Sequence, residues 1–289
     1  MSYDIIQMKT IAQTLNDKTY TDYYYRLMLL ARSVFKWNNL PNGIDEKWIE
    51  RYLFAEGKCV FFKDDTKGFM LTKCSDFGML NAYDEPTKVL PVATNETFTP
   101  KENNVDCVVI RNNDDMIPTY PTIELFALKL AELSRTIDIN VHAQRTPIII
   151  LCSEKQRMTM KNVYKQWNGF EPIIYGDKNL DIEGLKTLKT DAPIVFPQLQ
   201  VQKHAVWNEC MTFLGIGNAN QEKRERLVAD EVSANNEQIQ LSANIMLKAR
   251  ERACEQINEI FKCDPPVSVE IRNLDASEFN PKPLEKEGV

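Results

Sequence analysis

No phosphate loop, HExxH or GxSxG string occurs in this chain, so it carries neither a nucleotide-driven motor nor the common hydrolytic machinery. A basic surplus is missing too. The net charge of −6 has the wrong sign for a protein that grips nucleic acid by neutralising phosphates, so any such contact must be local or weak. No apolar run approaches the roughly 18 to 20 residues needed to cross a bilayer, and the segment from Met1 to Lys9 lacks an apolar signal core. The expectation is a chain made and used in the cytosol, with no membrane partner. Histidine is reduced to His142 and His204, on different predicted helices, where packing or surface roles fit better than ligation or base catalysis. Seven cysteines (Cys59, Cys74, Cys107, Cys152, Cys210, Cys254, Cys263) are scattered, odd in number and never spaced as CxxC, which argues against a disulfide framework and a zinc site. Free, mostly buried thiols are expected, and no cofactor is.

What is present is ordinary for a packed protein. Hydrophobic residues make up 43% and charged residues 26%, and 289 residues suit one core with a smaller inserted module. Apolar positions at mixed 3 and 4 spacing (Tyr24, Leu27, Leu30, Ala31, Val34) predict a helix over residues 18–37. A second short helix follows Asp45. Runs from Cys59 to Phe62, Phe69 to Thr72 and Cys107 to Ile110 read as strands between Gly, Asp and Asn clusters, making a mixed α and β module.

Thr119 and Pro121 then open a long helix, the first as a cap and the second in a turn that does not need its amide hydrogen. It runs to about Arg145, roughly 35 Å at about 1.5 Å per residue. Ile123, Phe126, Leu130, Leu133, Ile137 and Val141 form its apolar stripe, while Leu125, Leu128, Ala131 and Ile139 lie off it, so the helix needs neighbours on several sides. Thr146-Pro147 ends it, and Ile148 to Leu151 reads as a buried strand beginning a compact insert. The insert holds a short helix around Met160 to Trp167 and strand candidates at Pro172 to Tyr175 and Pro193 to Phe196.

A second long helix, about Leu199 to Leu214, stops at Gly215-Ile216-Gly217. Residues 218–238, dense in charge and Asn, read as a mobile loop. A third long helix starts near Asn235 or Asn236 and aligns Ile239, Met246, Ala249, Ala253, Ile257 and Ile260. Val267 to Ile271 is a strand candidate, and the tail to Val289 reads as disordered.

Few constellations carry chemistry. Gly215-Ile-Gly217-Asn-Ala-Asn220 begins like a dinucleotide loop but follows a helix and ends on Asn, so it is read as a helix stop. Asp114-Asp115 and Asp64-Asp65 could hold Mg²⁺ in a nuclease, although paired acids in loops are usually solvated turns. Lys186, Lys189 and Lys203 bracket the entry to the second long helix, and Lys223-Arg224-Glu225-Arg226 lies in the loop. In a lone subunit they are a solvated face; in a ring each inward lysine becomes a belt of positive charge on an acidic wall.

Several strings resemble the upper collar proteins, also called portals or head–tail connectors, of small short-tailed bacteriophages. They are Phe35-Lys-Trp-Asn-Asn-Leu-Pro41, Pro118 to Leu133, Asn140-Val-His-Ala-Gln-Arg-Thr-Pro147, Lys189-Thr-Asp-Ala-Pro193, Gln202 to Ile239, and Lys248-Ala-Arg-Glu-Arg-Ala-Cys254 to Asn258-Glu259. The resemblance implies an α+β, mainly helical portal fold. Residues 1–118 would form an N-terminal wing module, 119–145 and 198–215 the stem helices, 146–197 a small α/β clip, 216–238 the tunnel loop, and 239–289 a wing helix with a possible strand and tail. It implies a noncatalytic dodecameric ring at one capsid vertex of the virion, conducting double-stranded DNA in packaging and ejection. Its partners would be capsid or scaffold proteins, a separate packaging ATPase and lower collar or tail proteins. By position, Lys189, Lys203, Lys223 and Arg224 would face the DNA channel, and Asn218, Asn220, Lys223, Arg224 and Arg226 would belong to the tunnel loop. Gln198 stands where a relative has another channel lysine. The first 20 residues hold only Lys9 and Lys18 in place of the relatives' very basic arm, which puts packaging-RNA binding in doubt. A head–tail adaptor that does not line the whole channel is the alternative in the same setting.

Overall fold

A computed structural model of the chain describes residues 2–144, 148–150, 185–187, 193–217 and 229–272. The elements in order are α1 (Ser2–Ala31), β1 (Phe35–Asn38), α2 (Glu46–Glu56), β2 (Lys58–Asp64), β3 (Gly68–Leu80), β4 (Pro86–Ala93), β5 (Glu96–Thr97), β6 (Lys101–Glu102) and β7 (Cys107–Arg111). They continue as α3 (Tyr120–Ala143), β8 (Ile148–Ile150), β9 (Leu185–Thr187), α4 (Phe196–Leu214), α5 (Ala229–Phe261) and β10 (Ser268–Ile271). The fold is α+β and mainly helical. It divides into two compact units, Met1–Ala131 with His204–Val289, and Glu132–Lys203.

In the first unit an antiparallel sheet has the order β5-β4-β3-β2-β7, with β6 also on β4. Val60 and Phe62 of β2 point into a cluster with Val89, Cys107 and Val109, against which Met70, Cys74 and Phe98 pack. Cys59 and Phe61, on the other face, are equally buried, and the Phe61 ring meets Phe261 of α5 at 5.3 Å. Burial on both faces is why β2 reads as an unbroken apolar run rather than an alternation. β4 escaped the sequence reading because Pro86 and Pro91 bracket its centre, and prolines argue against an interior strand.

α2 begins where Asp45 was expected to start it. The Asp45 side chain accepts from Lys47 N at 3.0 Å, and Gly57 closes the helix at φ 76°. A Cβ at Gly57 would fall 1.9 Å from Met116 O, so a side chain has no room there.

Other expectations are corrected. The helix placed over residues 18–37 instead runs from Ser2 to Ala31, and Phe35-Lys36-Trp37-Asn38 is strand β1. Its partner is β10, with Phe35 opposite Ile271 and Asn38 opposite Ser268. A partner so far along the chain leaves no trace in local spacing, although the buried–exposed alternation of Phe35 and Trp37 is strand-like. α5 starts at Ala229, so residues 229–238 of the expected tunnel loop are helical; dense charge is as compatible with an exposed helix as with a loop. Pro193 to Phe196 is no strand: α4 begins at Phe196. β8 pairs with the uncalled β9, Ile148 opposite Thr187. The expected helix at Met160 to Trp167, the strand at Pro172 to Tyr175 and the tail after Arg272 lie outside the described residues.

One buried ion pair ties the first unit together. Glu50 of α2 and Arg250 of α5 are 3% and 2% exposed, and every guanidinium hydrogen is used. Arg250 Nε and Nη2 donate to the two Glu50 oxygens at 2.9 and 2.8 Å. Nη2 also donates to Asn112 Oδ1 at 3.1 Å, and Nη1 donates to Asn112 O and Met246 O at 3.1 and 3.0 Å. The guanidinium lies 4.1 Å from the centroid of the Phe35 ring, and Trp37 Nε1 donates to Glu50 Oε1 at 2.9 Å. Asn112 Nδ2 passes the network on to Thr119 Oγ1 at 2.9 Å, so the Thr119 side chain fastens the start of α3 to the end of β7.

Removing one partner strands the other without water. Glu50→Ala should lower stability by about 3–5 kcal/mol in urea unfolding, whereas Glu50→Leu with Arg250→Met should lose clearly less than either single removal.

Candidate functional site

The residues expected to matter ride on α3, α4 and α5 or on the segments joining them. Ile123, Phe126, Ala127, Leu130 and Ala131 form the buried side of α3, and the Phe126 ring lies 6.4 Å from that of Phe213 in α4. Ala131, expected off this stripe, is part of it. Val206, Cys210, Met211 and Leu214 are the buried residues of α4. Gly215 ends that helix at φ 74°, with Ile216 N donating to Met211 O at 2.9 Å. A Cβ at Gly215 would stand 2.4 Å from the Ala243 Cβ, so this glycine serves both the turn and the close approach of α5.

The outer sides of these helices mix polar residues such as Glu124, Lys129 and Glu237 with exposed apolar ones. Leu125 and Leu128 on α3 remain 51% and 52% exposed, and Leu241 and Ile245 on α5 are 65% and 57% exposed. Pairs of large apolar side chains left this exposed on two helices are candidates for cover by another copy.

In the second unit, Asn140 fastens α3 to the start of α4. Its Nδ2 donates to Pro193 O at 2.9 Å, and its Oδ1 accepts from Val195 N and Phe196 N at 3.2 Å each. Backbone donors at a helix start have no partner within the helix, and this amide supplies one. Asn140 was not singled out, although the string beginning at it was conspicuous. Lys203 is half-buried on α4. Lys189, Asn218, Asn220, Lys223, Arg224 and Arg226 lie outside the described residues, so of the basic residues expected to face the channel Lys203 alone has a described position, while Lys186 lies in β9 opposite Ile149.

The acidic pairs do not converge. Asp114 is ion-paired with Arg252, and Asp115 beside it is exposed. Asp64 accepts from Thr66 Oγ1 and N and from Lys67 N, and these bonds, the Thr66 side chain's first, hold its carboxyl below the usual range as the anion of a hairpin turn. Among the described residues no group of three His, Cys, Asp or Glu side chains is placed to hold a metal. Burial pushes the thiols of Cys107, Cys210 and Cys254 up to about 12 and that of Cys74 to about 11, the wrong direction for a nucleophile.

Comparison with known proteins agrees with a helical, noncatalytic construction. The family model described as Phage Connector (GP10) matches residues 2–274. Among solved structures, the portal and tail of native bacteriophage P68 matches at 15% identity, covering 94% of this chain and 93% of that one with a TM-score of 0.55, which establishes a shared fold. The neck of an empty GTA particle follows at 10% identity, 88% and 82% coverage and a TM-score of 0.47. An HK97 family phage portal protein from Corynebacterium diphtheriae matches at 9% identity, 86% and 91% coverage and 0.38. Neither of these two overlays is close enough to carry an argument.

Asn140→Ala should cost about 1–2 kcal/mol, as loss of a helix cap does, and should speed amide exchange at Val195 and Phe196 while leaving amides of the β2–β3 hairpin unchanged.

Proposed function

The chain belongs to the phage connector family, and on that premise we propose that twelve copies close into a ring through which double-stranded DNA passes during packaging and ejection. A connector is a structural protein of the virion's portal vertex, at the head–tail junction, and works as an oligomeric ring between capsid and tail. It is not an enzyme, which removes the nuclease reading of Asp114 and Asp115. The observation that carries this is the family match across residues 2–274.

The finer reading draws support from the faces left bare. Leu125 and Leu128 on α3 and Leu241 and Ile245 on α5 give each copy exposed apolar residues on two different helices, which a head-to-tail contact would cover one against the other. Contacts between unlike patches run head to tail, and such contacts stay soluble when they close on themselves. At −6 per chain, twelve copies carry on the order of −70 formal charges, a repulsive wall for a polyanion. Against it, belts from Lys189, Lys203, Lys223 and Arg224 would give brief attractions, so that DNA slides without stalling. Motion would come from a separate packaging ATPase, and capsid or scaffold and lower collar proteins would hold the two ends of the ring. Residues 218–228, between α4 and α5, would be the loop nearest the DNA.

Negative-stain images and native mass spectrometry of the purified chain should give an annulus of about twelve subunits; a protein that stays monomeric or dimeric under assembly conditions defeats the proposal. Leu125→Asp with Leu128→Asp should abolish the annulus while shifting the monomer's unfolding by only about 0.5 kcal/mol, as exposed substitutions do. Lys203→Ala and the Lys223→Ala, Arg224→Ala pair should spare assembly and slow packaging only mildly. Complete early arrest would mean that these side chains do more than brush the DNA.

A further inference from the structure

β3 runs on past its inner partner. β2 pairs with it only from Gly68 to Thr72, and beyond Phe77, opposite Lys88, its one partner among the described residues is β4. The end of the β3–β4 hairpin is therefore a two-stranded ribbon with solvent on both faces, a place for polar side chains. Instead it carries Phe77, Met79, Leu80 and Tyr83, all exposed, Met79 at 81% and Tyr83 at 84%. The turn that presents them is well bonded. Asn81 Oδ1 accepts from Tyr83 N at 2.8 Å and from Glu85 N at 3.0 Å, Asn81 N donates to Glu85 O at 2.8 Å, and Thr87 Oγ1 donates to Met79 O at 2.9 Å. Large apolar side chains on such a turn are held in a fixed arrangement, which lowers the ordering cost of a contact.

A concave counterpart lies beside α2 and the start of β3, a groove of about 250 Å³ lined by Ile44, Asp45, Trp48, Tyr52, Phe69 and Leu71. Trp48 is 41% exposed within it. The Asp45 carboxylate is matched by Lys47 Nζ at 2.8 Å, yet it keeps lone pairs for a further donor. Arg51, whose guanidinium stands 5.3 Å from the Trp48 ring centroid, is exposed and has no carboxylate partner among the described residues. The groove is thus apolar with one spare acceptor and one unmatched cation. The hairpin tip is apolar with one spare donor, the Tyr83 hydroxyl, and one unmatched anion, the exposed Asp84; Glu85 next to it is already paired with Arg111 at 3.1 Å. A chain cannot fill its own groove. Leu71 and Leu80 stand on one strand, about 30 Å apart at about 3.3 Å per residue, and an extended strand does not fold back on itself.

We propose that the hairpin tip of one copy seats in this groove of the next, with Tyr83 against Trp48 and Tyr52, its hydroxyl donating to Asp45, and Asp84 facing Arg51. The contact rests on the ring reading for its neighbour, and it joins unlike surfaces, as a head-to-tail ring requires. It also fixes a dimension. If each tip lies at the next copy's groove, neighbouring grooves are one tip-to-groove length apart, about 30 Å, and twelve such steps close on a circle of radius about 60 Å. The annulus is then about 120 Å across at this level.

Photo-crosslinking in the full-length, assembled protein tests it. With p-benzoylphenylalanine in place of Tyr83, irradiation should attach the hairpin to the peptide containing Trp48 or Tyr52. In particles mixed from light and heavy-isotope chains, joined peptides of mixed isotope should appear. Arg51→Asp should cut the yield about fivefold, the effect of turning one exposed ion pair into a repulsion, and Asp84→Arg in that background should restore it. Crosslinks scattered over other surfaces or onto another virion protein, joined peptides of one isotope only, a yield indifferent to charge reversal, or a twelvefold annulus under about 90 Å wide would each overturn the contact. An annulus without the crosslink defeats the contact and leaves the ring standing. Mixed-isotope crosslinks in open strings of copies, with no annulus, defeat the ring and keep the contact; the absence of both defeats both.

Discussion

The Glu50–Arg250 pair is the constraint on which the first unit is arranged. A charge taken out of water is tolerated only if its hydrogen-bonding capacity is filled, and here the guanidinium is filled completely, by one carboxylate, one amide oxygen and two backbone carbonyls. Those acceptors come from α2, from the residue after β7 and from α5 itself. The Phe35 ring of β1 supplies one flat wall, and Asn112 continues the chain of bonds to Thr119. Segments from both ends of the sequence thus meet at one side chain. The pair need not add much net stability against an apolar replacement of equal shape. Its effect is directional: apolar contacts would allow α5 to slide or turn by a fraction of a residue, and a bidentate ion pair with five filled donors would not.

That division of labour explains what could be read beforehand. α3, α4 and the Gly215 stop announce themselves locally, through a 3.6 period, a proline in the first turn and a glycine at the end. β1 and β10 do not, because their pairing partners are at opposite ends of the chain. Glu50 and Arg250 were invisible for a related reason. A lone charge on an amphipathic helix is normally solvated, and although Arg250 falls on the buried stripe between Met246 and Ala253 while Arg252 does not, a charged residue at such a position carries no sign in the sequence of the partner that lets it be buried. The same ambiguity misplaced the start of α5, since charged and Asn-rich sequence fits an exposed helix as well as a loop.

Of the candidate site, the legible part was its type rather than its atoms. Of the apolar residues expected off the main stripe of α3, Ala131 is buried with the stripe while Leu125, Leu128 and Ile139 are exposed, so the further contact sides expected of this helix belong to the proposed assembly. The basic residues could be picked out from the sequence, but a channel position was given to them only by resemblance, since a lysine that acts in a symmetric assembly has no local signature in one chain. Asn140 was missed because a helix-capping side chain 55 residues from the amide it serves obeys no spacing rule.

The buried pair and the assembly are linked through geometry. In the ring of twelve proposed above, each copy would be turned by about 30° relative to the last, and an error in that angle would be multiplied around the circle. A deviation of even a few degrees per contact leaves a gap or a helical ramp instead of a closed annulus. The surfaces that would set the angle, Leu125 and Leu128 on α3 and Leu241 and Ile245 on α5, sit on helices whose placement depends on Thr119 and Arg250, two members of one network. A purely apolar core would fold at comparable cost yet allow those helices more play. The cost of burying a salt bridge is reasonable where the product is an accurate angle between two faces, which is what closure demands and what stability alone does not.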